Sequence, residues 1–489
     1  MKRQFFKHGL VYGAANLVSG LGSILLVPIY THSLQPDAYG VVDYLTVVQS
    51  LVQVCAGLEI TQGIARYYAA TEDERTRRAY ASTGLLFLLS SLATICLVLY
   101  LAAGWFGSSW LGLDRASGLL ELALASVYMR ILFYALQGQL RWELRSDLYS
   151  IASLIAVTLT ISLSAYLLLV KDAALAGVFV ASSIGYGMGC AFCVFSLRRT
   201  YRLMFEGSKL REMLRFSLPL TASTLALFAA AYGDRILLRS QLGFHELGIY
   251  GIAARFAAVV TLAINGFQLG AAPLIYRHYD DPTTPATLAQ LMRIFMVVGS
   301  VVVVGLAAFS IEAVALLTTP EYREAWRVIP LLSLSILMGS LYTFVPGLTV
   351  RNLTGRFALV NITSAAITLG LVAALLRAFG MLGAAIGVLA GATGGFLLHA
   401  FASLAVYQMP IDWRRLAGGV TVTVLVIVAC LVVGAPGPGS LALRAVLFGI
   451  GVAGLVAGGL TRQDRSLAWR VGGSGIAQMR RLVAAAAAR

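Results

Sequence analysis

The sequence is poor in charged residues, and this scarcity limits the environment in which the chain can fold. Lys and Arg number 37 and Asp and Glu number 22, so charged residues make up 12% of the 489 positions, whereas 59% are hydrophobic. Soluble domains usually carry about 25% charged residues, and a chain this apolar lacks the polar side chains that would cover a water-facing surface. The composition excludes a soluble globular protein and predicts a polytopic membrane protein.

Side chains and motifs for catalysis are equally scarce. The five cysteines lie in apolar runs, and none is spaced with a histidine as a metal site requires. The chain contains no P-loop, H-E-x-x-H, G-x-S-x-G or dinucleotide-binding glycine pattern. The longest predicted loops, 198–215 and 272–290, are too short to form a catalytic domain. We therefore expect no enzyme activity, no metal and no cofactor.

Long apolar runs are what the sequence has in abundance. A helix of about 20 apolar residues crosses the hydrocarbon core of a bilayer. Runs of this length, bounded by charges or turn residues, predict an all-α polytopic membrane protein with about 14 transmembrane helices. The predicted spans are 10–31, 41–63, 83–107, 118–140, 149–170, 175–197, 216–238, 247–271, 291–317, 328–350, 357–378, 382–407, 416–434 and 441–460.

Basic residues concentrate on one side of these spans. Lys and Arg are retained on the cytoplasmic side of a membrane, and 27 of the 37 fall in the two termini and the even-numbered loops. Eight lie on the opposite side, in the odd-numbered loops or at the span ends next to them, and Arg444 is one of these. We predict that both termini are cytoplasmic. This topology, together with anionic lipid headgroups, accounts for the net charge of +15, so we expect no nucleic-acid partner.

The two halves of the chain share a weak repeat. Displaced by 208 residues, Leu34 aligns with Leu242 and Gly40 with Gly248, at the predicted outer turn between the first two spans of each half. Six spans per copy give both copies the same orientation, which predicts two six-helix lobes related by an axis along the membrane normal. A chance alignment of two apolar hairpins is the alternative interpretation. The predicted division is 1–208 for the N-terminal lobe, 209–410 for the C-terminal lobe, and 411–489 for an added helix pair and a basic cytoplasmic tail.

Ionisable side chains deep in the predicted spans are the candidate functional residues. Such a group costs at least about 2.5–3.5 kcal/mol at the bilayer centre, so it should face the bundle interior or water. Arg130 and Arg255 lie far inside the fourth and eighth spans, and we predict that both line a cavity; a structural ion pair is the alternative. Asp234 and Arg235, near the outer end of the seventh span, form either a gate between the lobes or an interfacial charge cluster.

Polar residues also form stripes on the first two spans. The pairs four residues apart are Tyr12 with Asn16 and Gln49 with Gln53. They suit sugar hydroxyls or water in a cavity, and contacts between neighbouring helices suit them equally. Glu59 and Arg66 are seven residues apart, which places them on one helical face near the cytoplasmic end. They are candidates for a gate or for ion coupling, or for a purely structural pair.

Two segments carry a resemblance to a known family. They are KHGLVYGAANLVSGLGSILLVPIYTHSLQPDAYGVVDY and LPLTASTLALFAAAYGDRILLRSQLGFHELGIYGIAARF. The second contains Asp234-Arg235, then Leu242-Gly243, then the L-G-x-Y pattern at 247–250. These residues are similar to the polysaccharide transporter family, the O-antigen and exopolysaccharide flippases of the superfamily that also contains multidrug extruders and peptidoglycan-precursor flippases.

The resemblance implies a function. A flippase of this family would move an oligosaccharide linked through diphosphate to a polyprenol from the cytoplasmic to the outer leaflet of a bacterial inner membrane. Arg130 and Arg255 would then bind the anionic headgroup, and Asp234 and Arg235 would form an outer gate. Membrane lipids, a polysaccharide polymerase and a chain-length regulator are the candidate partners. Any coupling to proton or sodium flow would use Glu59 or Asp234 as the titrating group.

Three other functions remain open at this point. A multidrug extruder typically has twelve spans and an acidic cavity, which the predicted spans and buried arginines disfavour. A peptidoglycan-precursor flippase would carry more basic residues along its first helix. A membrane polysaccharide polymerase or ligase would need a long outer loop, and the sequence predicts none.

Overall fold

The computed structural model describes residues 20, 22–106, 113, 118–202, 204–262, 264, 281–351, 353–434, 437–461 and 464, and within them the regular structure is helical. The helices include α1 (22–33), α2 (Pro36–Gly57), α3 (Ile60–Ala70), α4 (Glu74–Phe106), α5 (Leu119–Trp142), α6 (Ser146–Leu169), α7 (Ala174–Ser196), α8 (Gly207–Leu242), α9 (Phe244–Ala257), α10 (Thr284–Leu317), α11 (Ala325–Ser340), α12 (Gly347–Val350), α13 (Thr354–Leu404), α14 (Trp413–Val432) and α15 (Pro438–Gly459). Eleven segments of this described part are long and apolar enough to cross a membrane. The predicted all-α polytopic fold is confirmed, and the chain is a multi-pass membrane protein.

Several observed helices depart from the predicted spans. The span predicted at 41–63 is divided at Leu58 and Glu59, between α2 and α3. The span predicted at 328–350 is interrupted by a 3-10 turn at Leu341–Phe344 and by Pro346, which lacks the backbone N–H that a helix needs. The last two spans of the C-terminal lobe are joined in α13, which bends at Gly380, where φ is 58° and glycine is the residue that fits without strain.

The 208-residue repeat extends through the helix boundaries. Helices α2 and α9 begin at equivalent positions, as do α6 and α13, and α7 and α13 end at equivalent positions. The offset that the sequence displays at one turn therefore holds along both halves. We refer to α1–α7 as the first repeat and to α8–α13 as the second repeat.

The two repeats meet along α2 and α9 at two glycines. A Cβ atom on Gly40 would lie 2.0 Å from the Phe244 carbonyl oxygen, and a Cβ atom on Gly248 would lie 2.0 Å from the Pro36 carbonyl oxygen. Pro36 and Phe244 are the first residues of α2 and α9 and are equivalent in the repeat. Gly40 and Gly248 are also equivalent, so each glycine contacts the first residue of the other helix. Contacts between equivalent positions are the signature of a two-fold axis passing through the interface. We name this contact between α2 and α9 the seam.

Further bonds close the same end of the molecule. His245 Nδ1 and Asp37 Oδ2, which are equivalent positions of the two repeats, lie 3.1 Å apart. The buried Tyr322 hydroxyl, between α10 and α11, donates to the Leu34 carbonyl oxygen at 2.9 Å. All of these residues border loops assigned to the outer side by the distribution of basic residues. The described residues therefore hold the two repeats together at the predicted outer face.

The C-terminal helices α14 and α15 pack on each other and on α10. Arg444 is fully buried on α15 and donates to Glu312 Oε2 of α10 at 3.0 Å. At the other end, Arg293 Nε of α10 lies 3.2 Å from Asp464 Oδ2. Burial opposes ionisation of Asp464, but hydrogen bonds from Arg293 and Thr461 hold its pKa below the usual value. Two ion pairs thus fasten the added helices to the second repeat.

We predict that Gly40→Ala destabilises the protein, because the added methyl group has no room against the backbone of α9. Overpacking of this kind costs about 1–3 kcal/mol. The apparent melting temperature of the purified protein in detergent should fall. Gly370→Ala is the matched control, since a Cβ atom there meets no atom within 4 Å. Equal melting temperatures for the two variants would contradict the backbone contact at the seam.

Candidate functional site

A cavity of about 390 Å³ lies within the first repeat, and we name it the central cavity. Its wall is formed by α1, α2, α5, α6 and α7, together with one side chain of α9. The residues that bring hydroxyl groups to the wall are Ser23, Tyr30, Thr46, Ser126, Tyr134, Tyr149, Ser153, Thr160, Ser182 and Tyr186. Each hydroxyl group both donates and accepts hydrogen bonds. The cavity therefore provides hydrogen-bonding groups at a depth where the lipid provides no hydrogen-bonding partners.

Arg130 projects into the central cavity from the middle of α5. It lies eleven residues after the helix start, which is about 16 Å along the axis at 1.5 Å per residue. Its guanidinium carbon is 5.3 Å from the ring centre of Tyr186, and the Tyr134 hydroxyl lies within hydrogen-bonding reach. The Nε atom is buried without a hydrogen-bond partner, and no carboxylate of the described residues lies within 4 Å of the guanidinium.

Arg255 enters the same cavity from α9. It also lies eleven residues after its helix start, at the same depth of about 16 Å from the predicted outer end. Its Nη1 atom donates to the Ser23 carbonyl oxygen at 3.2 Å, and its guanidinium stands over the rings of Tyr30 and Tyr39 at 5.7 and 5.4 Å. Within the part of the chain that is described, it too has no ion pair. The two arginines thus bring cationic groups without carboxylate partners to one cavity.

The second repeat reproduces this polar wall only in part. The cavity residues Thr46, Gln49, Ser126, Arg130 and Gln137 have the counterparts Ala254, Ala257, Leu334, Met338 and Val345. Four of these five counterparts are buried and Ala254 is partly buried, and all are apolar. The cationic cavity is therefore a property of one repeat, and the divergence between the repeats supports a role in binding rather than in holding the fold together.

The predicted glutamine stripe on α2 divides between two cavities. Gln49 lines the central cavity, whereas Gln53 lines a second cavity of about 330 Å³ together with Glu59 and Arg141. Tyr134 lines both cavities, so they adjoin at this ring. The glutamines therefore follow one path from the predicted cytoplasmic side toward the arginines. Tyr12 and Asn16, the other predicted stripe, lie outside the described residues.

The predicted pairing of Glu59 with Arg66 on one helical face is wrong. Leu58 and Glu59 have φ angles of 43° and 54°, a left-handed conformation that is strained for both residue types. Because the helix breaks there, the seven-residue spacing no longer aligns the two side chains. Arg66 instead stacks on Phe216 of α8, with 4.3 Å between the guanidinium carbon and the ring centre. Glu59 faces the second cavity.

Asp234 and Arg235 join a buried cluster at the seam. Arg235 Nε lies 3.3 Å from Asp43 Oδ2 of α2, across the boundary between the repeats. Asp234 accepts a hydrogen bond from the Tyr250 hydroxyl at 2.6 Å and another from the Arg235 backbone N–H at 2.8 Å. Tyr39, also buried, packs between this cluster and Arg255. Of the two sequence interpretations, this geometry is that of a contact between lobes.

Sequence reasoning missed Asp43 and the tyrosines of the central cavity. The repeat offered an indication of Asp43, because the equivalent residue is Gly251. A Cβ atom on that glycine would lie 2.7 Å from the Asp43 carboxyl carbon, so the absence of a side chain there leaves room for the carboxylate. Tyr134 and Tyr186 carry no such signal, since tyrosine is also common at membrane interfaces.

Solved structures with the same architecture are transporters. The structure titled "Lipid II flippase MurJ, inward closed conformation" matches 92% of this chain and 98% of its own, with a TM-score of 0.66 and 12% identity. An inward-facing multidrug resistance MATE family transporter of the MOP superfamily matches 79% and 94%, with a TM-score of 0.64 and 17% identity. The Vibrio cholerae MATE transporter VcmN in its bent form matches 83% and 97%, with a TM-score of 0.54 and 18% identity. The fold is that of MOP superfamily transporters.

Sequence comparison then gives the family. The family model described as "Polysaccharide biosynthesis protein" matches residues 5–277, more than half of the chain, and the chain belongs to this family. "Lsg locus putative protein 1" of Haemophilus influenzae is 24% identical over 280 residues. That match covers 55% of this chain and 66% of the relative, just under two thirds of its length. The resemblance inferred from the sequence is confirmed.

We predict that Asp43 and Arg235 are energetically coupled across the seam. Removing one partner of a buried ion pair leaves an uncompensated charge and costs about 3–5 kcal/mol, so Asp43→Asn and Arg235→Gln should each lower the melting temperature in detergent. The double variant should lose less than the sum of the two. Arg327→Gln, which breaks the exposed pair with Glu324, is the control and should cost under about 1 kcal/mol. Additive losses would show that the pair is not coupled.

Proposed function

We propose that the chain is a flippase that moves a polyprenyl-diphosphate-linked oligosaccharide from the cytoplasmic to the outer leaflet of a bacterial inner membrane by alternating access. The observation that supports this most directly is the pair of arginines, Arg130 and Arg255, which line one cavity near the middle of the membrane without carboxylate partners among the described residues. A fold of MOP superfamily transporters and a family described by polysaccharide biosynthesis support the same class of substrate.

The charge of the substrate matches the charge of the cavity. A diphosphate carries roughly two negative charges, and a planar guanidinium group binds phosphate oxygens in pairs. Each arginine costs at least about 2.5–3.5 kcal/mol at this depth, a cost that an anionic ligand would offset. An inside-negative membrane potential would also favour outward movement of the substrate by about 2.3 kcal/mol per charge per 100 mV. In this proposal Arg130 and Arg255 hold the diphosphate.

The hydroxyl groups and glutamines of the two cavities suit the rest of the headgroup. Gln53, Glu59 and Gln139 line the second cavity, on the predicted cytoplasmic side, and Tyr134 connects it to the central cavity. A saccharide entering along this path would meet donors and acceptors throughout. Glu59 and Asp234 remain the candidates for ion coupling, and Arg66 for a contact at the inner end.

The seam is the proposed outer gate. In the described conformation, Arg235 and Asp43 join the two repeats and Tyr322 bonds to Leu34 at the predicted outer face. Release of the substrate to the outer leaflet requires these contacts to break. Membrane lipids surround the protein in this proposal, both termini are cytoplasmic, and a polysaccharide polymerase and a chain-length regulator are the proposed partners.

The alternatives receive less support from the site. A multidrug extruder of cations would need acidic groups where Arg130 and Arg255 lie. A peptidoglycan-precursor flippase shares the fold, since one structural neighbour is titled a lipid II flippase, and it would use the same arginines. The family description, which names polysaccharide biosynthesis, favours the surface-polysaccharide pathway between these two.

We predict that deleting the gene strands lipid-linked oligosaccharide on the cytoplasmic leaflet while its synthesis continues. The two leaflets are distinguished by access of a membrane-impermeant periodate or lectin probe to the sugar in intact spheroplasts. Wild-type cells provide the reference for normal export. Normal surface polysaccharide in the deletion strain would refute the proposed function.

We predict that Arg130→Ala and Arg255→Ala each reduce export of the oligosaccharide at least about tenfold, because each removes a charge-assisted bond of roughly 1.5–3 kcal/mol to the diphosphate. Arg130→Lys should retain part of the activity, since it keeps the charge but not the paired bonds. The control is Arg377→Ala, which removes an exposed arginine of α13. All variants are compared at equal expression. Export by Arg255→Ala equal to that of the control would remove Arg255 from the site.

A further inference from the structure

The second repeat contains a polar and aromatic cluster outside the cavities described above. We name it the His399 cluster, and its members are Tyr342, Phe357, Asn361 and His399. The ring centres of His399 and Tyr342 lie 5.3 Å apart, and those of His399 and Phe357 lie 5.2 Å apart. His399 Nε2 and Asn361 Oδ1 are hydrogen-bonded at 2.8 Å. His399 is only 6% exposed, and an imidazole buried in a membrane helix calls for an explanation beyond packing.

Three residues of this cluster are equivalent, in the repeat, to residues that line the central cavity. Displaced by 208 residues, Tyr342, Phe357 and Asn361 correspond to Tyr134, Tyr149 and Ser153. All three of these counterparts line the central cavity. The His399 cluster is therefore the second repeat's version of the same wall.

The backbone of the second repeat departs from the first at this cluster. Helix α5 continues through Tyr134, whereas α11 ends at Ser340 and gives way to the 3-10 turn that carries Tyr342. Tyr342 is 42% exposed, as is its counterpart Tyr134. A 3-10 stretch that interrupts a helix often marks a functional hinge or local strain. The cluster lies within about 8 Å of the predicted cytoplasmic end of α13, because Phe357 and His399 are three and five residues from its ends.

The cluster has hydrogen-bonding capacity to spare. Because the Asn361 oxygen accepts, the neutral His399 ring donates from Nε2 and keeps a lone pair on Nδ1. In the stretches of chain that are described, the two side chains bond to each other through Nε2 and Oδ1, which leaves Nδ1 and the Asn361 amide N–H groups outside that bond. One acceptor and two donors next to an exposed ring suit a sugar, whose hydroxyl groups form hydrogen bonds while its C–H face packs on an aromatic surface. The position equivalent to Arg130 is Met338, so the second repeat does not reproduce that cation.

We propose that the His399 cluster is a second binding site, in the C-terminal repeat, for a neutral saccharide portion of the substrate. This inference rests on the proposed function, because it assumes that the diphosphate of the same molecule is bound by the arginines of the first repeat. The two repeats then bind chemically different parts of the substrate. The first binds its charge, and the second binds its uncharged, hydroxyl-bearing part.

The test compares two lipids with the full-length protein in nanodiscs. The first is undecaprenyl diphosphate without sugar, and the second is the lipid-linked oligosaccharide extracted from a strain that lacks the gene. Tyr342→Ala and Asn361→Leu should each weaken binding of the sugar-bearing lipid about tenfold and change binding of undecaprenyl diphosphate less than about twofold, since only contacts to hydroxyl groups are lost. Asn361→Leu keeps the side-chain volume, so it remains informative if Tyr342→Ala fails to fold.

Phe401→Ala is the matched control, because Phe401 is an 80% exposed ring two residues from His399 on the same helix. It should leave both affinities unchanged. Unchanged binding of the sugar-bearing lipid to Asn361→Leu would overturn the second site. A loss of both affinities in proportion to a lower melting temperature would also overturn it, and would identify Tyr342 as an anchor at the membrane interface. Failure of the wild-type protein to bind undecaprenyl diphosphate better than undecaprenol would instead refute the proposed function.

Discussion

The contact of two glycine backbones at the seam determines how closely the two repeats approach each other. Gly40 and Gly248 allow α2 and α9 to approach until the backbone of one meets the carbonyl oxygens of the other. That approach brings Asp43 within ion-pair distance of Arg235. It also carries Arg255 out of its own repeat and into the cavity of the other. Closure at the predicted outer face and assembly of the cationic site therefore have a common structural origin.

The two repeats keep one backbone plan and differ in what they bury. Their helix boundaries remain in register at an offset of 208 residues. Several polar wall residues of the first repeat nevertheless correspond to methionine, valine, leucine or alanine in the second repeat. Conserving the plan preserves helix packing, because packing depends on shape. Changing the wall alters only what the cavity attracts. Under the proposed function, such a division would let one lobe hold the diphosphate while the other meets a different part of the same molecule.

Much of the fold was predictable because a membrane span is recognisable from its apolar composition. A charged residue within such an apolar run is equally easy to identify. Arg130 and Arg255 were found in this way. The pairing of Glu59 with Arg66 failed because helical spacing assumes an unbroken helix, and nothing in the local sequence indicates a left-handed turn at Leu58. Asp43 was missed because its partner, Arg235, is 192 positions away in the chain. Contacts of this kind depend on tertiary packing. A sequence pattern indicates such packing only where an internal repeat relates the two contacting segments.

The break at Leu58 and Glu59 has a mechanical consequence for the second span. The portion before it, α2, packs on α9 as well as on α4 and α8, and the portion after it, α3, packs on α4 and α8. A continuous helix would transmit any tilt from one leaflet to the other. Two left-handed residues in its place make α2 and α3 separate helices, so the packing of α2 on α9 is not carried by a continuous helix into α3. In the alternating-access transport that we propose, such a break would allow one end of the span to move while the other stays closed.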